Sequence, residues 1–84
     1  MTYEILIEKA AKKQLAKIPE PFLTNIESAI NNLQYNPRPL GCKKLIGRPG
    51  FRIRIGNYRV VYAIEDNQLL VLVVDVGHRQ GVYK

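Results

Sequence analysis

Cysteine is almost absent. Cys42 stands alone among 84 residues, which excludes a disulfide framework and a cysteine-rich metal site. Its place beside a proline- and glycine-marked turn suits a small filler. His78 is the only histidine, and the seven carboxylates are dispersed, so no ligand cluster is written into the chain; neither a metal nor a cofactor is expected. Long apolar runs are missing too. The longest, Leu69-Leu70-Val71-Leu72-Val73-Val74, falls far short of the ~20 residues a membrane-crossing helix needs and reads as a buried strand. The opening Met1-Thr2-Tyr3-Glu4-Ile5-Leu6-Ile7-Glu8 has neither the basic start nor the apolar stretch of a secretory signal, so a cytoplasmic location without a membrane partner is expected. Nothing marks a linker, a repeat or a low-complexity segment, and residues 1–84 are read as a single domain.

Acidic residues are also in short supply. Thirteen Lys and Arg face seven Asp and Glu, giving a net charge of +6 and a pI near 9.7. The excess is uneven. Residues 1–42 carry five cations against four acids, whereas residues 43–84 carry eight against three. A positive field gathered on one half points to nucleic acid or another polyanion as partner.

The hydrophobic pattern then orders the chain. Residues 2–7 alternate weakly as a first strand. Residues 8–18 switch to helical period, with Ala11, Leu15 and Ile18 on one side and Lys9, Lys13 and Lys17 striped along the other. That stripe is a solvated helix face or a contact for a large RNA. Pro19 and Pro21 end this helix and begin a second, Pro21 suiting a first-turn position. Phe22, Ile26, Ala29, Ile30 and Leu33 carry helix two to about Tyr35, and the short break predicts a helical hairpin. After a stiff Asn36 to Gly41 loop and the basic connector from Lys43 to Gly50, which has room for one short extended piece, strands are predicted at residues 51–55, 58–65 and 68–76. Gly56-Asn57 and Asp66-Asn67 supply the turns. The predicted fold is α+β: a two-helix N-terminal hairpin on one face of a four-stranded, mainly antiparallel sheet in the order β-α-α-β-β-β.

Within the first of these C-terminal strands, Phe51, Ile53 and Ile55 alternate with Arg52 and Arg54, so both guanidinium groups face away from the apolar side. The Gly56-Asn57 turn returns the chain through Tyr58-Arg59-Val60-Val61-Tyr62. Arg52, Arg54, Arg59 and Arg79 can therefore converge with Tyr83 on one surface, with Lys43, Lys44 and Arg48 as further phosphate contacts. Tyr58 and Tyr62 share a strand face with Val60 and read as core rather than base-stacking.

Residues 50–84, with Gly-Phe-Arg-Ile-Arg-Ile, Asn-Tyr-Arg-Val-Val-Tyr and Val-Gly-His-Arg-Gln-Gly-Val-Tyr, resemble the RelE toxins of the RelE/ParE superfamily. The upstream order of elements agrees, so the resemblance spans the chain. It implies a RelE-like fold and a ribosome-dependent endoribonuclease that cuts messenger RNA in the decoding site. It also implies neutralisation by a cognate, RelB-like antitoxin, through which the complex would bind operator DNA. Residue by residue, Arg52 and Arg54 match basic strand positions, Arg59 matches the arginine of the Tyr-Arg-Val-Val-Tyr strand, and Arg79 and Tyr83 match the arginine and near-terminal tyrosine given catalytic roles.

The residue types suit that chemistry by themselves. A 2′-hydroxyl can attack the adjacent phosphate without a metal, leaving a 2′,3′-cyclic phosphate and a 5′-hydroxyl. The reaction needs a base, cations for the growing charge on phosphorus oxygens, and a proton for the departing oxygen. Arginine suits the second task, because its fork binds phosphate bidentately and keeps its charge. Tyr83 is the candidate base; a free phenol has a pKa of about 10, which nearby guanidinium groups would lower. His78 is a second candidate for proton transfer, although alternation directs it away from Arg79. Two other readings stay open: a ParE-type toxin that poisons DNA gyrase, and a nucleic-acid-binding module that does not cut.

Overall fold

The structure is a computed structural model that describes residues 2–78. One sheet of five strands carries the fold, in the spatial order β1-β5-β4-β3-β2. The strands are β1 (Glu4–Ile7), β2 (Lys43–Lys44), β3 (Phe51–Ile55), β4 (Tyr58–Glu65) and β5 (Leu70–His78). Two helices, α1 (Lys9–Leu15) and α2 (Phe22–Asn32), lie between β1 and β2 in sequence.

The expected α+β class holds, with one strand more than predicted. The addition is β2, two residues of the basic connector paired antiparallel with β3, Lys43 opposite Arg52 and Lys44 opposite Phe51. The connector had room for a short extended piece, but two residues have no alternation to count them as a strand. The apolar strand β5 sits inside the sheet, between β4 (antiparallel) and β1 (parallel), as a strand apolar on both faces should. It begins and ends two residues later than predicted. Asp66–Gln68 wind into a 3-10 turn, and Leu69 takes a left-handed conformation at φ 51° before pairing begins. Both helices are shorter than their periodicity suggested. Pro21 forms the N-cap of α2, not its first turn, and follows Glu20 through a cis peptide. Glu20 caps the helix instead, its Oε1 accepting from the Thr24 backbone N–H at 3.0 Å and the Thr24 hydroxyl at 2.7 Å.

Pair register sorts the sheet into two faces. Val60 stands between Ile53 and Val76, Tyr62 between Phe51 and Val73, and Ile64 beside Val71. These residues face the helices and merge with Ala11, Leu15, Ile26, Ile30 and Leu33 into one core. Opposite Val61 and Tyr62, β5 carries Val74 as an extra residue between Val73 and Asp75, and this register shift keeps Val71, Val73 and Val76 on that side. Tyr62 is wholly buried in this core, and its hydroxyl donates to the Pro37 carbonyl at 2.7 Å, tying the proline loop to the sheet. Lys9, Lys13 and Lys17 are exposed, as a solvated face requires.

Candidate nucleic-acid interface

The other face of the sheet carries the cations. The turn at Gly56 and Asn57 puts Ile55 opposite Tyr58, which sets Arg54 opposite Arg59 and Arg52 opposite Val61. Lys43 stands opposite Arg52, and Gly77 opposite Arg59. Lys43, Arg52, Arg54 and Arg59 thus share the face that the helices leave open. The turn has room for this register because Gly56 adopts φ 60°, a left-handed conformation suited to a two-residue hairpin.

Arg59 is the most enclosed of these cations, with 8% of its surface exposed, whereas Arg54 is exposed and Arg52 intermediate. Arg52 and Arg59 line an open groove of about 280 Å³, together with Lys44, Leu45, Ile46 and Arg48 from the segment before β3. Four of its six lining residues are cations, and among the described residues none is a carboxylate. Arg54 and Lys43 lie on the same face outside this groove. Lys44, opposite Phe51, reaches the groove from the strand edge.

Residues 45–50 form a tight loop that walls the groove. The Leu45 N–H donates to the Gly50 carbonyl at 3.0 Å. Gly50 has φ 118°, and a Cβ there would come within 3.2 Å of the Tyr62 carbonyl oxygen, so glycine alone lets the loop turn this close to β4. On its far side lies a larger hollow of about 590 Å³, reached by Lys44, Leu45 and Arg48 and also by Arg38 and Phe51. Arg38 was not among the predicted site residues. It is fixed by Asp66, which its Nη2 meets at 2.9 Å, and its guanidinium lies 5.4 Å from the centre of the Phe51 ring. The Tyr3 hydroxyl donates to the same carboxylate at 2.7 Å. Arg38 and Tyr3 together hold the Asp66 carboxyl below its usual range. Such a contact, between residues so far apart in the chain, leaves no sequence signal. Leu45 and Ile46 were likewise missed as groove residues, because nothing in the basic connector marks them.

His78 closes β5 on the other side of the sheet. It pairs with Tyr58, and its ring meets the Tyr58 ring edge-on at 5.3 Å. Tyr58 in turn stacks on Phe22 at 5.7 Å, so Tyr58 joins the core as expected. Arg79 and Tyr83 lie outside the described residues. Among the described residues no group of three or more His, Cys, Asp or Glu is placed to hold a metal, and no helix is long and apolar enough to cross a membrane.

Gln14 completes the sheet edge that leads toward this region. β1 pairs with Leu70 to Val73, and among the described residues no strand covers the edge of β5 beyond that point. There the Gln14 side chain replaces a strand: its Oε1 accepts from the Val76 N–H at 2.9 Å and its Nε2 donates to the Asp75 carboxylate at 2.8 Å.

A helix-backed sheet whose other face carries Lys43, Arg52, Arg54 and Arg59 defines a small basic α+β protein. Residues 5–83 match the model of the family described as the ParE toxin of type II toxin–antitoxin systems. The whole chain is 30% identical over 88 residues to RelE1 of Methanocaldococcus jannaschii, covering 98% of that toxin. It is 31% identical over 88 residues to toxin RelG of Mycobacterium tuberculosis, covering 99% of it. Its fold matches the crystal structure of an archaeal RelE–RelB complex from Pyrococcus horikoshii with a TM-score of 0.83 at 27% identity, over 94% of this chain and 97% of that one. It also matches the RelBE2 toxin–antitoxin complex of Mycobacterium tuberculosis with a TM-score of 0.81 at 29% identity, over 94% and 93% of the two chains. The chain belongs to the RelE/ParE superfamily and is a RelE-type toxin of a type II toxin–antitoxin system.

Proposed function

We propose that this toxin is a ribosome-dependent endoribonuclease that cuts messenger RNA in the decoding site and so stops translation. The observation that carries the reading is the groove in which Arg52 and Arg59 stand with Lys44 and Arg48 on the open sheet face. A phosphodiester bound there meets four cationic donors, the enclosed Arg59 among them, and one preorganised donor at such a site is worth about 3–4 kcal/mol of barrier. In the proposed reaction the 2′-oxygen attacks phosphorus while the bond to the 5′-oxygen breaks, giving a 2′,3′-cyclic phosphate and a 5′-hydroxyl. Tyr83, as its phenolate, takes the 2′-proton, the leaving 5′-oxygen takes one from water, and Arg59 and Arg79 balance charge on the phosphate oxygens. Arg54, Lys43 and Arg48 hold the flanking backbone. His78 rests against Tyr58 on the helix side, which favours Tyr83 for proton transfer. No step calls for a metal or cofactor.

A cognate, RelB-like antitoxin is the proposed neutralising partner, supported by the RelE–RelB complexes among the structural neighbours. Operator binding by the pair is assigned to the antitoxin, and the proposed location is the cytoplasm. The test is induction in cells with mapping of new RNA 3′ ends. Ends inside codons on translating ribosomes are expected, and Tyr83→Phe or Arg79→Ala should remove both cleavage and toxicity. Intact messages during growth arrest would rule the reading out.

The description of the matching family favours one other reading, a ParE-type gyrase poison. It predicts DNA damage while translation is still intact. A binding module without catalysis predicts that Tyr83→Phe and Arg79→Ala change nothing.

A further inference from the structure

The loop of residues 45–50 combines two features that phosphate binding does not explain. Ile46 is 99% exposed, a large aliphatic side chain held out in water, and with Leu45 it forms the only apolar wall of the arginine groove among the described residues. The loop is also closed by a hydrogen bond, from the Leu45 N–H to the Gly50 carbonyl at 3.0 Å. An exposed apolar group on a hydrogen-bonded loop beside a cluster of cations matches the two-part chemistry of a nucleotide: an anionic phosphate and a flat, largely apolar base.

At about 280 Å³ the groove lies just below the usual pocket of about 300–1,000 Å³ for a whole small-molecule ligand, and it is open along its length. That suits one unit of a longer chain. In a paired helix the bases are stacked inside and cannot turn their faces to a protein wall, so the strand must be single.

We infer that Leu45 and Ile46 form a base-contacting subsite: one nucleotide of single-stranded RNA sits in the groove with its phosphate on Arg52 and Arg59 and its base against the Ile46 side chain. The inference deepens the nuclease reading and rests on it. Ile46 is then a specificity-determining residue, because an aliphatic wall reads the size and shape of a base without hydrogen-bonding its edge. Cleavage positions would be biased by the nucleotide that fits the wall, while phosphate binding stays blind to sequence.

The experiment has two arms. In the first, purified protein binds a short single-stranded oligoribonucleotide and the same chain carrying abasic positions. The parent protein should prefer the base-bearing strand by about threefold to tenfold, the worth of a small apolar contact, and Ile46→Ala should remove that preference. Ile46 packs against nothing, so the variant should fold as the parent does. In the second arm, 3′ ends are mapped for both proteins on translating ribosomes; Ile46→Ala should still cut but with a changed distribution of flanking nucleotides. A parent protein indifferent to abasic positions overturns the subsite, whether or not it cuts. A parent that cuts, with an Ile46→Ala variant giving the same distribution of ends, also overturns it while leaving the nuclease reading standing. Absence of cutting by the parent removes the nuclease reading and the subsite with it. An Ile46→Ala protein that handles RNA unchanged but loses its grip on a protein partner assigns the wall to that partner and overturns the inference.

Discussion

Arg54 and Arg59 stand directly opposite one another across the β3–β4 ladder, on the sheet face without helices. Like charges so placed oppose each other by about 0.2–1 kcal/mol, and under the proposed function a bound phosphate backbone would offset that.

Neutralising the exposed member of the pair tests its part in phosphate binding. Arg54→Gln should weaken binding to single-stranded RNA and reduce the slope of log affinity against log salt by about one. The fold should be retained, because Arg54 is exposed. Salt titrations of RNA binding beside thermal melts check both; an unchanged slope would place Arg54 outside the phosphate track.

Arg59 should respond differently because it is enclosed and lines the groove. Arg59→Lys keeps the charge but loses the planar fork that can hold two phosphate oxygens at once. RNA affinity is expected to fall only a few-fold, while cleavage on programmed ribosomes falls about 10²-fold or more, as when one preorganised donor is lost. Equal losses in binding and cleavage would make Arg59 an anchor with no special role in the reaction.

How the two arginines meet was legible before any coordinates. Alternation placed Arg52 and Arg54 on one face, and the two-residue turn at Gly56 and Asn57 fixed the register that brings Arg59 opposite Arg54. Strands β3 and β4 were readable to the residue for the same reason. What alternation cannot carry was lost. β2 is too short for a pattern, and the left-handed Leu69 delays β5 without a glycine to mark it. Leu45 and Ile46 reach the groove only through the fold of their loop, and the Arg38 to Asp66 bridge joins segments that no local period connects.

The network around Asp66 makes acid stability a test of that bridge. Arg38 and Tyr3 lower the carboxyl pKa in the folded protein below its unfolded value of about 3.9. Between the two values the unfolded chain binds more protons, so stability falls as pH falls. The contribution is complete above about pH 4 and lost as pH drops through the folded value. Asp66→Asn should therefore be less stable than the parent at pH 7, with the two denaturation curves converging toward pH 2. A constant difference at every pH would show that Asp66 contributes through packing, not through its charge.

Gln14 connects the helical layer to the strand that ends at His78. Its side-chain amide takes the place of a neighbouring strand, accepting from the Val76 N–H and donating to Asp75. Gln14→Ala removes both bonds and leaves a half-buried sheet edge to find water. A lost hydrogen bond of this kind costs about 0.5–1.5 kcal/mol, and more where the orphaned group stays dry. Hydrogen exchange should locate the loss: the Val76 amide should lose protection, while Val60 and Val71, deep in the sheet, should keep theirs relative to global stability. Because β5 leads directly into Arg79 and Tyr83, a looser strand end should also slow cleavage by more than the stability change alone accounts for, measured well below the melting temperature. Gln14→Glu gives the contrast. It keeps an acceptor for Val76 but sets two carboxylates together at Asp75, so it should preserve Val76 protection better than alanine only when the pH is low enough to protonate one of them. Unaltered Val76 exchange in Gln14→Ala would mean that the strand end is held by its pairing to β4 alone.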